Sequence, residues 1–162
     1  MSLEEKEPIR GKEKRPEIVT VDQFEMWKFV EPGKIGETEA LGPCIGVFLY
    51  DPENRYAFIG HFVDPRVGLK AMLVEAKKHY KDAGKIKVCV GGGVFQAEDA
   101  PDFKYDKDKR RYLEECLAKE GFKNIEYHYA ESNEDTDMQI DTRTGKFKVE
   151  KRELDTWSGS ED

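Results

Sequence analysis

The sequence predicts an α/β (α+β) fold: one layered domain with a mixed, largely antiparallel β-sheet and two main helices. Three observations carry this. Several short runs rich in β-branched and aromatic residues are bounded by turn residues. Two longer segments place apolar residues at helical spacing. Strands on either side of helices in this order suit a layered domain, and 162 residues are enough for one core.

Taken in order, residues 1–17 are charged and poor in large apolar groups, which predicts a disordered arm. The domain then spans 18–152, and 153–162 form a flexible tail in which Trp157 is the one residue suited to docking. "QFEMWKFV" (23–30) is aromatic-rich and reads as a strand, with "EPGKIG" as the turn after it. "CIGVFLYD" and "YAFIGHFV" are apolar runs around "DPEN", whose Pro and Asn favour a hairpin connection. Ile45, Val47 and Leu49 occupy one face of the first run, and Phe48 and Tyr50 the other. A strand apolar on both faces belongs in a sheet covered on both sides.

"RVGLKAMLVEAKKHYKDAG" carries Leu69, Met72, Leu73, Ala76, Tyr80 and Ala83 at helical spacing, with Gly84 as its stop. "KIKVCVGGG" is a strand entering a glycine turn. "DKDKRRYLEECLAKEG" is a second helix, its basic start expected in solvent and Tyr112, Leu113, Cys116 and Leu117 facing inward. "NIEYHYA", "TDMQIDT" and "GKFKVEK" are closing strands, the last two joined at "TRTG".

The formal net charge of −7 argues against nucleic-acid binding. Mean hydropathy is −0.78 and no run of 18 apolar residues occurs, so no membrane insertion is expected. The three cysteines are too few and scattered for a disulfide framework, which points to a reducing cytoplasm. Cys89 and Cys116 read as packing, His79 as a helix flank and His128 as the polar side of a strand. No two His or Cys have spacing typical of zinc, so neither metal nor cofactor is expected. "VGGGVF" lacks the lysine of a phosphate loop and reads as a tight turn.

Cys44 and His61 hold the chemical interest. If Asp51–Asn54 form a four-residue loop, Tyr50 faces Arg55 and Cys44 faces His61 on one side of the hairpin. An imidazole there would take the thiol proton and stabilise the thiolate. Two readings stay open on these residues: a nucleophile and its base, or a small buried cysteine beside a satisfied core histidine.

The block "TEALGPCIGVFLYDPENRYAFIGHFVDP" (38–65) resembles the chemoreceptor glutamine deamidase family, CheD, in which a threonine precedes Leu-Gly-x-Cys and a strand pair ends in a histidine. Cys44 and His61 are 17 positions apart and Thr38 lies six before Cys44, as in that family. The deamidase domain of cytotoxic necrotizing factors shares the scaffold, and N-terminal asparagine amidohydrolases are distantly similar. "KIKVCVGGGVF" and "MQIDTRTGKFKVEK" extend the likeness. Pro43 replaces the family's usual serine, and the acidic "AESNEDTDMQ" stands where the family has Gly-Gly-x-x-Gly-Arg.

The resemblance implies a cysteine-dependent amidohydrolase that deamidates a carboxamide, such as a protein glutamine, through a thioester. Cys44 is the expected nucleophile, His61 the base and Thr38 its orienting residue; the N–H groups of Cys44 and Ile45 are the expected oxyanion donors. On its own residues Thr38 reads as a strand threonine at an exposed edge. The alternatives are a catalytically inactive binding or scaffold protein and a redox-sensing thiol. The segment 131–137 is either a partner surface or a solvated loop.

Overall fold

In a computed structural model describing residues 15–94, 103–131 and 133–154, nine strands sort into two sheets rather than one. The strands are β1 (Ile18–Thr20), β2 (Trp27–Val30), β3 (Ile35–Leu41), β4 (Ile45–Tyr50), β5 (Ala57–Phe62), β6 (Lys87–Gly92), β7 (Asn124–Tyr129), β8 (Glu134–Asp141) and β9 (Lys146–Glu153). The helices are α1 (Leu69–Lys77) and α2 (Phe103–Lys119). The expected arm at 1–17 and tail at 153–162, with Trp157, lie almost wholly outside the described residues. No helix among the described residues is long and apolar enough to cross a membrane.

The five-stranded sheet runs β2-β5-β4-β6-β7 and the four-stranded sheet β1-β3-β8-β9. Pairing is antiparallel except for β1 with β3 and β6 with β7. The α+β class with two helices and mixed sheets therefore stands. The expected single sheet is corrected to two because β4 and β5 are apolar on both faces, and each face needs its own cover. Ile45, Val47, Leu49, Phe58 and Phe62 pack under α1 and α2 with Leu69, Met72, Leu113 and Leu117. Phe48, Tyr50, Ala57 and Ile59 meet Met138 and Ile140 of the second sheet.

The hairpin between β4 and β5 forms, but its register differs from the expected one. Asp51 closes the loop by donating its N–H to the Tyr56 carbonyl at 3.1 Å, so Tyr50 pairs with Ala57 and Gly46 with His61. The loop residues are Pro52–Arg55, one step later than the sequence suggested. Asp51 drives this shift: its carboxylate accepts the N–H groups of Glu53 at 2.8 Å and Asn54 at 3.1 Å. Arg55 then takes a left-handed φ of 63°. The new pairing moves Cys44 one diagonal step from His61 but leaves both on the face toward the second sheet.

Other boundaries move for local reasons. Asp22 accepts the N–H groups of Phe24 and Glu25, both at 2.9 Å, so 22–25 is a turn and the expected strand over 23–30 shortens to β2. The first helix ends at Lys77 rather than near Gly84, because Asp82 caps a short 3-10 turn at Ala83–Lys85. Much of 131–137, read as a loop or partner surface, is the start of β8, where Thr136 is buried. The turn expected at "EPGKIG" forms, with the Lys34 N–H donating to the Glu31 carbonyl at 3.2 Å, and β3, a strand the sequence did not suggest, begins in its last two residues. Its bulge, with Ala40 at φ 59°, shifts the pairing from Thr38↔Met138 to Leu41↔Thr136. The extra residue lets both Thr38 and Leu41 point into the core.

Candidate functional site

Three elements bring the sequence-predicted residues to one end of the layer between the sheets. Thr38 comes from β3, His61 from β5, and Cys44 from the turn entering β4; they are 1%, 6% and 8% exposed. Thr38 is therefore not an exposed edge threonine. Its hydroxyl lies 2.7 Å from Nδ1 of His61 and 2.7 Å from the Val21 carbonyl. A carbonyl can only accept, so the single hydroxyl proton goes to Val21 and Thr38 must accept from His61. Nδ1 thus carries the ring proton, and Nε2 of the neutral imidazole keeps its lone pair as a base.

Among the described residues no hydrogen bond joins Cys44 to His61. The diagonal register separates the two backbones further than the expected pairing would. The Cys44 thiol instead faces Gln23 Oε1 at 3.7 Å, on the 22–25 turn, a neighbour the sequence did not suggest. Burial holds the Cys44 thiol above its ordinary pKa; Lys109 lowers it and Asp135 raises it. Burial holds His61 below its ordinary value, with Asp22 opposing. Both shifts favour the neutral thiol and the neutral imidazole over a thiolate–imidazolium pair.

The oxyanion expectation splits. Ile45 belongs to the β4–β5 ladder. Alternation from the Asp51–Tyr56 bond makes Ile45 and Phe62 a hydrogen-bonded pair, which commits the Ile45 N–H. The Cys44 N–H has no acceptor among the described residues and remains available. Pro43 has no N–H, but its carbonyl accepts Lys109 Nζ at 3.1 Å. The Cys44 carbonyl accepts the Gly93 N–H at 2.8 Å, and the Gly42 carbonyl that of Val94 at 3.0 Å. The loop before the thiol is thereby tied to α2 and to the end of β6.

Lys109 is the residue that sequence reasoning missed. The basic start of α2 was expected in solvent, yet Lys109 is 3% exposed and lies 3.9 Å from the buried Asp106. Its position on the helix side facing Leu113 was the available signal. Replacing Lys109 with methionine is expected to raise the Cys44 pKa further. Losing that charge leaves less thiolate at a given pH, so alkylation of Cys44 at fixed pH should slow severalfold. Lys109→Arg should stay near the parent rate. The measurement is the pH profile of iodoacetamide labelling in a Cys89→Ser/Cys116→Ser background.

A cleft of about 480 Å³ opens beside His61, lined also by Val21, Asp22, Glu25, Lys28 and Glu39. Lys28 is 2.9 Å from Glu25, leaving Asp22 and Glu39 to set a negative mouth. Elsewhere, Cys116 is half-buried against the helix-side core, and His79 stacks on Phe29 with ring centroids 5.4 Å apart. Cys89 is fully buried, but it does not stand alone. Its sulfur, a Glu126 oxygen and a His128 nitrogen lie within 4.8 Å of one another, a metal-capable group that sequence spacing did not reveal.

No family model matches the chain, and no curated protein matches it. Among solved structures, it is similar to YfiH of Bacillus licheniformis, with 15% identity and a TM-score of 0.45 over 63% of this chain and 49% of that one. The protein NMB0706 of Neisseria meningitidis, described with the family model DUF152, aligns at 9% identity and a TM-score of 0.49, covering 77% of this chain and 68% of that one. YlmD of Geobacillus stearothermophilus aligns at 11% identity and 0.45, covering 74% and 61%. This chain thus spans about half the length of YfiH. The resemblance to the chemoreceptor glutamine deamidases is corrected accordingly: these neighbours are YfiH, YlmD and DUF152 proteins, and neither that family nor its chemoreceptor substrate is assigned to this chain.

Proposed function

We propose that the chain is a cysteine-dependent amidohydrolase acting on a carboxamide. The observation that carries this reading is the Val21–Thr38–His61 relay, which fixes the proton on Nδ1 and reserves Nε2 as a base. Substrate binding brings the thiol and Nε2 within reach, as catalytic contacts that are long in a free enzyme often tighten in the complex. Nε2 takes the Cys44 proton as the sulfur bonds to the carboxamide carbon. The oxyanion is held by the Cys44 N–H. The C–N bond breaks, the imidazolium gives its proton to the leaving ammonia, and water activated by His61 hydrolyses the thioester.

The negative mouth supplies a substrate class. Asp22 and Glu39 suit a carboxamide with a neighbouring positive charge, such as glutamine or asparagine beside lysine. Ammonia release from Gln and Asn peptides should be faster with lysine than with glutamate neighbours. Glu39→Lys should narrow or reverse that preference, and Cys44→Ala should abolish release. If no carboxamide peptide releases ammonia, and Cys44 is labelled by a glutamine-derived chloromethyl ketone no faster than by iodoacetamide, the reading fails.

A second reading, a binding protein on the same fold, is favoured by the raised Cys44 pKa and the missing Cys44–His61 bond. It predicts labelling of Cys44 that is indifferent to His61→Ala.

A further inference from the structure

We propose that Cys89, Glu126 and His128 form a binding site for a zinc-class divalent metal, separate from the Cys44–His61 site. The backbone builds it. β6 and β7 are adjacent parallel strands in which Cys89 is paired with Glu126, and Gly91 with His128. Side chains alternate along a strand, so Cys89, Glu126 and His128 project from the same face. The crossover helix α2 separates the two strands in sequence, which is why the cluster has no motif spacing.

The donor set selects the metal. A thiolate and an imidazole together suit zinc or cobalt and do not suit magnesium or calcium, which take oxygen ligands. Glu126 Oε1 is already 3.0 Å from His128 Nε2, so the two exposed ligands are gathered before metal arrives. Cys89 anchors the set from below, fully buried between its register partners Phe48 and Glu126. Three protein ligands leave a fourth position of a tetrahedral ion for water. On the facing sheet Thr136 packs its methyl group 3.5 Å from where a Cβ on Gly91 would sit, and its buried hydroxyl has no hydrogen-bond partner.

Burial and the Glu126 charge push the Cys89 thiol up to about 12, so the metal-free sulfur is protonated at neutral pH. Binding therefore exchanges the thiol proton for the metal: a sulfur–metal bond forms and one proton leaves to water.

Cobalt(II) titration of the metal-free full chain tests the proposal, because a thiolate–cobalt bond adds charge-transfer absorbance in the near ultraviolet. One equivalent should bring up that band, and zinc should remove it by competition. Cys89→Ser should lose the band, whereas Cys44→Ala and Cys116→Ser should keep it. His128→Ala and Glu126→Gln, at solvent-facing positions, should each weaken cobalt binding by about tenfold or more. These two variants decide the matter if Cys89→Ser does not fold. A titration without the band, a band that depends on Cys44 or Cys116, or unchanged affinity in His128→Ala each overturns the site.

Discussion

A Thr38→Val chain is expected to lose the fixed tautomer of His61 and, with it, the base. Valine has nearly the shape of threonine but neither accepts from Nδ1 nor donates to the Val21 carbonyl. Both bonds are 2.7 Å in the parent and both lie in a buried layer. Each polar group left without its partner costs about 1–3 kcal/mol, so the fold should lose about 2–4 kcal/mol in chemical denaturation. The functional consequence is larger. Without an acceptor at Nδ1, the imidazole is free to carry its proton on Nε2, where it cannot take one from Cys44. General-base catalysis contributes about 10²–10⁴-fold, so under the proposed mechanism carboxamide hydrolysis should fall by about that factor. Nitrogen NMR of His61 reads the cause directly: Nδ1 protonated in the parent, a mixture or the other tautomer in Thr38→Val. Thr38→Ser keeps the hydroxyl and should restore the parent tautomer and most of the rate. A parent protein with the proton on Nε2 would refute the assignment.

The parts of the fold that could be read were those in which apolar residues set both faces. β4 and β5 announced themselves in this way, and from them followed the covered sheet and the layering. Their register was misread by one loop step, because the Asp51 carboxylate reaches past Pro52 to Glu53 and Asn54 and lets Asp51 join Tyr56. Cys44 and His61 stayed on one face, since the alternate pairing changes the partner without changing the side. β3 was hidden for a different reason. The bulge at Ala40 breaks the alternation that identifies a strand, so Thr38 and Leu41 both point inward although three positions separate them. Lys109 was hidden because its burial comes from the 42–44 loop crossing α2, a contact with no trace in the helix's own pattern beyond its place beside Leu113. Cys89, Glu126 and His128 meet only through a parallel register.

The chain path behind Cys44 makes a second large effect calculable. Gly92 sits at φ +77°, and a Cβ there would lie 2.5 Å from the Cys44 carbonyl oxygen and 2.7 Å from the Leu41 Cβ. Gly92→Ala meets two penalties. The left-handed backbone costs an L-residue about 1–2 kcal/mol. The clash falls on main chain, which cannot rotate away as a side-chain tip can, and overpacking of this kind costs about 1–3 kcal/mol more. A total of about 2–5 kcal/mol is a large share of the 5–15 kcal/mol typical of a domain. Gly33→Ala separates the two terms: Gly33 has φ +94° but nothing within 4 Å of a Cβ, so it should show only the backbone cost. The difference between the variants isolates the pressure on Cys44. Relief requires the Cys44 carbonyl to move, which breaks the 2.8 Å bond from the Gly93 N–H and swings the thiol relative to His61. Gly92→Ala should therefore change the alkylation rate of Cys44 while Gly33→Ala leaves it at the parent value. Equal stability losses and equal labelling in the two variants would mean that β6 does not hold the thiol in place.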